Sequence, residues 1–393
     1  MLVKEFIERY YVDRKSTHSV KWDGLSETYT KSDLLPLWVA DMDFKVPEKV
    51  QEKLAERVSH GVFGYSLVED EYYEAFINWQ KKRHNIDLKQ EWVRFTTGVV
   101  NSFNYLIQSF TQPEESVLIL APVYYPFFDA VKNNNRQLVV SNLVNTDGYY
   151  TVDLDDFEKK IVENQVKIFL HCSPHNPVGR VWSQEELLAL FTICQKHQVK
   201  IISDEIHQDF IQPGRSFLSA LSVSEEFLED LFVLSAPSKT FNLASLLHSH
   251  VIIPNESHRQ TFDDYLDKGI GSSVSVMGMI ATEAAYTYGE DWVDDLINVI
   301  EHNFETMKSI LEKELPHVII TNKEATYLAW IDLSYYLEKE ELVDMMENKV
   351  GIAIDYGEWF DTHSATCIRI NLATKTENIE EAMNKLVKVL KNK

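Results

Sequence analysis

Lys239 stands in "SAPSKTFNLASL", with the apolar "LFVL" before it and the apolar "VIIPN" after it. A surface lysine needs no such approach, whereas a lysine meant to form a covalent imine does. Other apolar runs also end in residues able to do chemistry. After "VRFTT" comes Gly98 and then a helical pattern, "VVNSFNYLIQ", a turn that offers backbone N–H groups to an anion. Tyr124 and Tyr125 follow "VLIL", Asn176 follows "IFLHCS" just before Pro177, and Asp204, Glu205 and His207 follow "KIIS". Arg369 lies inside the apolar "CIRINLA". Each has an ordinary reading when taken alone: a turn glycine, a packed tyrosine, an Asn-Pro turn, a capping aspartate, a solvated lysine, half of an ion pair. His171 and His175 have a proline between them and no evident third ligand, so no metal site is expected.

The elements that must position these residues follow a regular rhythm. From about residue 90 to 255, short apolar runs alternate with helical patterns. The strand candidates are "WVRFTT", "SVLILAP", "VKIFLHCSP", "VKIISDE", "LFVLSAP" and "HVIIPN". Their nearly continuous hydrophobicity is that of strands buried on both faces. The helix "SQEELLALFTICQKH" opens with Ser183 and Glu186 spaced as a capping box. This alternation implies a mostly parallel sheet covered by helices, with ligands bound beyond the carboxyl ends of the strands. Beyond about residue 275 the pattern becomes a long amphipathic helix, "DWVDDLINVIEHNFETMKSILEKEL", then strands "TYLAWIDL" and "CIRINLA" with helices between and after them. The expected fold class is α/β with a second, smaller α+β domain. Residues 50–288 would form the large domain, and 1–49 with 289–393 the small one.

Composition narrows the function class. The chain has 393 residues and a net charge of −23, which argues against a nucleic-acid backbone as ligand. Its three cysteines, Cys172, Cys194 and Cys367, are an odd count without CxxC spacing, so a reducing cytoplasm is expected. The N-terminal "MLVKEFIERYYVDRK" is too charged for a signal peptide, and no apolar run is long enough to span a bilayer.

One cofactor would use all the strand-end residues. Pyridoxal phosphate has an aldehyde for a lysine, a pyridine nitrogen for a carboxylate, a phosphate for a helix N-terminus and a flat ring for an aromatic face. Its amino-acid substrates carry a carboxylate, which arginine grips with two parallel hydrogen bonds. "HNPVGRVW", "SDEIHQDF" and "APSKTFNLA" stand in the order found in the class I/II aminotransferase superfamily, the fold type I pyridoxal-phosphate enzymes, which the chain resembles over nearly its whole length. "LWVADMDFKVPEKV" and "FGYS" resemble the cystathionine β-lyase, or cysteine–sulfur β-lyase, branch.

The resemblance implies a sheet of the seven-stranded type and a set of roles. Lys239 would bond to the aldehyde and serve as base. Asp204 would face the pyridine nitrogen, Asn176 the phenolic oxygen, and Tyr124 would stack on the ring as a second candidate proton donor. The backbone at Val99 and Val100, with the Ser238 hydroxyl, would hold the phosphate. Tyr65 would reach a neighbouring subunit's phosphate in a homodimer with shared sites. Arg369 would bind the substrate carboxylate. His207, where aspartate-type enzymes have a tyrosine, is counted with the cofactor-binding residues, as in the lyase branch. Ala236, Ser245 and Leu247 depart from the wider family's serine, glycine and arginine, leaving the phosphate site less cationic. The implied activity is carbon–sulfur β-elimination from cystathionine, cysteine or related S-conjugates. An aminotransferase with the same cofactor is the first alternative, and a protein that binds regulators on its surface the second.

Overall fold

The computed structural model describes residues 1–268 and 274–392. A seven-stranded sheet forms its centre, in the order Val93–Thr96, Ser249–Ile252, Leu231–Ser235, Lys200–Asp204, Ile168–Cys172, Ser116–Ala121, Gln137–Asn142. Ser249–Ile252 runs antiparallel to both neighbours, and the remaining paired strands are parallel. The inner strands are apolar on both faces because both faces are covered. Val117 and Ile119 pack with Phe103, Ile107 and Phe127 on one side. Leu118 and Leu120 join the larger core on the other. That two-residue alternation is the pleat of a strand.

The capping box at Ser183 is formed. Ser183 Oγ accepts from the Glu186 N–H at 3.2 Å, and Glu186 Oε2 accepts from the Ser183 N–H at 2.8 Å. Gln137–Asn142, "QLVVSN", was not among the expected strands. It is an edge strand with alternating exposure, so it lacks the continuous apolar run of its buried neighbours.

The second unit carries an antiparallel sheet in the order Ile319–Ile320, Leu328–Asp332, Cys367–Asn371, Asp355–Tyr356. The helices Glu290–Glu314 and Thr376–Lys391 pack on each other beside it. Residues near the N-terminus touch this unit. Leu35–Pro36 pairs in parallel with Ile352–Ala353, and the Phe6 ring lies 5.8 Å from that of Trp292. The "WVADMDF" segment touches both units: Asn371 Nδ2 donates to the Val39 and Asp41 carbonyls, each at 2.6 Å, and Asn242 Nδ2 to the Met42 carbonyl at 3.0 Å.

Candidate active site

The carboxyl ends of the parallel strands open into a cavity of about 210 Å³. Val99, Val100, Tyr124, Asn176, Asp204, His207, Ser238 and Lys239 all line it. Parallel strands end on the same edge of a sheet, so residues scattered from 99 to 239 converge without any local sequence relation.

Gly98 makes the turn from its strand into the Val99–Phe110 helix with φ of +140°, a conformation that disfavours any side chain. This helix has no side-chain cap at its N-terminus. The Gly98 N–H is taken by Ser249 Oγ at 2.9 Å. The first-turn N–H groups beyond it lie at the cavity wall, where an anion is favoured. Ser238 lines the same cavity, in the short Pro237–Thr240 helix that also presents Lys239.

Lys239 Nζ donates to the Ala40 carbonyl at 2.6 Å, and the Tyr327 hydroxyl donates to the same oxygen at 2.8 Å. Burial pushes the ammonium down to about 8, against the opposing pull of Asp41, Asp204 and Asp355. Asp204 is buried, and burial raises its carboxyl to about 7 although Ile206 N–H donates to Oδ1 at 3.1 Å and Lys239 is near. An acid and a base are thus both brought toward neutrality in one cavity, the pattern of a functional site.

Arg369 is buried beside this cavity. Its Nη1 donates to Asn176 Oδ1 at 3.0 Å, its Nη2 pairs with Asp355, and its Nε is buried without a partner. The guanidinium lies 4.8 Å from the Phe360 ring centroid. Because Asn176 Oδ1 is engaged by Arg369, the amide N–H groups of Asn176 are its free donors toward the cavity. Tyr124 adds a backbone bond, its N–H to the Asn176 carbonyl at 3.1 Å. Burial lowers His207 well below the ordinary imidazole range, with Lys239 and Arg369 adding to the effect.

Tyr65 does not join these residues. It is fully exposed, beside exposed Val62, Phe63 and Leu67, and lines a separate hollow with Val274 and Val276. Sequence reasoning also missed several groups. Ala40 and Tyr327 orient the lysine, Asp355 pairs with the arginine, and Thr97, Asn101, Cys172 and His248 line the cavity. Ala40 lay within the quoted "WVADMDF", but a backbone acceptor has no sequence signature.

The donor set fits pyridoxal phosphate on this structure's own terms. A helix N-terminus without a cap, a partly buried lysine and a buried carboxylate share one cavity, with a buried arginine beside it.

The chain is similar to known proteins along its length. The family model for aminotransferase class I and II matches residues 32–386. Cystathionine beta-lyase PatB of Bacillus subtilis (strain 168) is 36% identical over 375 residues, covering 95% of this chain and 97% of that protein. Among solved structures, cystalysin from Treponema denticola, which contains pyridoxal 5'-phosphate, superposes with a TM-score of 0.93 at 36% identity, covering 97% of this chain and 98% of that one. The PLP-bound C–S lyase from Staphylococcus hominis gives a TM-score of 0.92 at 35% identity, covering 98% and 97%. A match over residues 32–386 and full-length likeness to these proteins show that the chain belongs to the aminotransferase class I and II family.

Proposed function

We propose that this protein is a pyridoxal-phosphate-dependent carbon–sulfur β-lyase acting on cystathionine, cysteine or related S-conjugates. The cofactor part of the reading rests on the shared cavity in which Lys239 and Asp204 are both shifted toward neutral pH beside an uncapped helix N-terminus, and the carbon–sulfur part on the likeness to cystathionine beta-lyase PatB and the C–S lyase of Staphylococcus hominis. Lys239 would hold the cofactor's aldehyde, Asp204 its pyridine nitrogen, Asn176 its phenolic oxygen, and Tyr124 its ring face. The Val99 and Val100 N–H groups and the Ser238 hydroxyl would hold its phosphate, and His207 completes the wall. When bound, pyridoxal phosphate supplies the electron sink that makes a substrate α-proton acidic and lets a β-thiolate leave.

The chain's own residues supply the rest. Arg369 binds the α-carboxylate, and the Asn176 contact fixes the plane of its guanidinium. The Lys239 amine, brought to about 8 by burial, has an unprotonated fraction near neutral pH that takes the α-proton. The resulting ammonium, or the Tyr124 hydroxyl, gives a proton to the departing sulfur. Asp204 keeps a negative charge where a cationic ring nitrogen needs one.

The test is turnover of cystathionine or cysteine alone. Pyruvate, ammonia and a thiol or sulfide should appear through many turnovers with no keto acid added. A strict keto-acid requirement without thiol release would replace this reading with transamination.

The assembly proposed with it is a homodimer with shared sites, in which exposed Tyr65 and its apolar neighbours meet a second copy and the Tyr65 hydroxyl serves the partner's phosphate. The proposed domain division stays at 50–288 and at 1–49 with 289–393. No helix among the described residues is long and apolar enough to cross a membrane. The three cysteines are free and buried, which supports a reducing compartment such as the cytoplasm.

A further inference from the structure

The cavity's phosphate end contains a buried chain of polar groups that the reading above does not use. In the antiparallel pairing of Ser249–Ile252 with Val93–Thr96, Ser249 faces Thr96 and His250 faces Phe95. The next position, His248, therefore stands at the turn that opens into Gly98, and it lines the cavity with Thr97, Gly98 and Val99. His248 is 3% exposed, and its Nδ1 is buried without a partner among the described residues. Its Nε2 is hydrogen-bonded to the Tyr72 hydroxyl, which also bonds to His250 Nε2 at 2.6 Å. The His250 ring is stacked on Phe76 with centroids 3.8 Å apart.

One arrangement of the protons in this chain leaves His248 Nδ1 bare. His250 Nδ1 lies 3.5 Å from Ser235 Oγ, and pairing of the two strands sets His250 opposite Ser235. A neutral His250 with its proton on Nδ1 has a lone pair on Nε2, so the single Tyr72 proton points there. The Tyr72 oxygen then accepts from His248 Nε2–H. That leaves a bare lone pair on His248 Nδ1. A lone pair repels phosphate oxygens, whereas an N–H there would be a charge-assisted donor.

A side-chain cation would add to the helix N-terminus in holding a phosphate. Among the described residues lining the cavity, the basic side chains are Lys239, His207 and His248. Lys239 is assigned to the aldehyde, and His207 packs edge-on to the Tyr327 ring, with centroids 5.7 Å apart. Leu247, which follows Lys239 where many aminotransferases carry an arginine, is half exposed and apolar.

We propose that His248, oriented by Tyr72 and His250, is the phosphate-binding cation of this site, taking up one proton as a phosphate group enters and donating Nδ1–H to it. This inference rests on the pyridoxal-phosphate reading and names a residue that reading does not require. The proton comes from solvent or from the phosphate monoanion, so no other reactant is needed. The elements packed against His248 present Tyr72, His250, Phe95 and the backbone at Gly278. The same Val276–Tyr288 helix carries Thr282, Tyr286 and the carboxylate of Glu283, whose charge reaches the cluster at Tyr72. Burial alone holds free His248 at about 4, so it is neutral until an anion arrives.

The experiment titrates cofactor-free protein with inorganic phosphate at pH 8 in two buffers of different ionisation enthalpy. Calorimetry then counts protons taken up. The native chain should take up a proton that His248→Gln does not, and the variant should bind phosphate about tenfold or more weakly. It should also lose pyridoxal phosphate faster on dialysis. Repeating the pair in the Lys239→Ala background removes the lysine's own proton from the comparison. Equal uptake and equal affinity in His248→Gln overturn the inference. Should the variant not fold, 15N-histidine NMR of the native chain decides: phosphate should convert His248 Nδ1 from a bare to a protonated nitrogen, and an unchanged bare nitrogen overturns it. A native protein that binds neither phosphate nor pyridoxal phosphate refutes the cofactor reading itself, whereas binding without proton uptake refutes only the role of His248.

Discussion

Asp204→Asn should make the cofactor-free protein more stable while removing most of its activity. The carboxyl moves from an ordinary value of 3.8 to about 7, chiefly because burial disfavours its charge. Between those values the folded chain holds a proton that the unfolded chain has released. Stability therefore falls as pH rises through that window and stays reduced above about 7. At about 1.4 kcal/mol per tenfold change in protonation, the penalty is on the order of 4 kcal/mol once the group is fully ionised. Asparagine keeps an oxygen for the Ile206 N–H, which Asp204 accepts at 3.1 Å, and carries no charge to bury. Denaturant unfolding of the two cofactor-free proteins at pH 4.5, 6 and 8 measures the difference. It should be small at the lowest pH and grow, in favour of the variant, to several kcal/mol at pH 8. With pyridoxal phosphate bound the order should reverse, because a ring cation compensates the carboxylate and an amide cannot. A variant that is less stable at pH 8, or a difference that does not change with pH, would refute the claim that burial sets this carboxylate's charge.

The other predictions concern the remaining site residues. Borohydride treatment of the yellow protein should fix the cofactor to the peptide containing Lys239, and Lys239→Ala should lose that link; labelling of another lysine would displace the assignment. Arg369→Lys keeps a cation beside buried Asp355 but loses the planar fork that reaches Asn176. Its kcat/KM should drop about ten- to a hundredfold, mostly through KM, with cofactor content unchanged; cofactor release with KM intact would contradict the carboxylate role. Mixing inactive Tyr65→Phe and Lys239→Ala chains should restore part of the activity, since one site of a mixed dimer carries neither change. No recovery under proven subunit exchange would place Tyr65 in its own chain's chemistry.

The order of strands and helices was legible because the buried strands are apolar on both faces and the Gln184–Lys196 helix announces its start by the cap at Ser183 and Glu186. The site was legible for a related reason. Parallel strands end on one edge, so Gly98, Tyr124, Asn176, Asp204 and Lys239, each placed just after an apolar run, had to meet once the runs were paired. Tertiary structure alone decided the rest. The edge strand Gln137–Asn142 is half exposed and carries no continuous apolar signal. The Ala40 carbonyl reaches Lys239 across 199 positions, and every residue offers a carbonyl, so nothing in its type could announce it. Asp355 meets Arg369 only because their two strands pair antiparallel. His248 and His250 flank Ser249 with nothing in the sequence to join them, and only the packing of the Asp70–His84 helix against them placed the Tyr72 hydroxyl between their rings. Periodicity is a property of neighbouring residues and survives in the sequence; the partner of a buried polar atom is chosen by which elements pack together, and exists only in the folded chain.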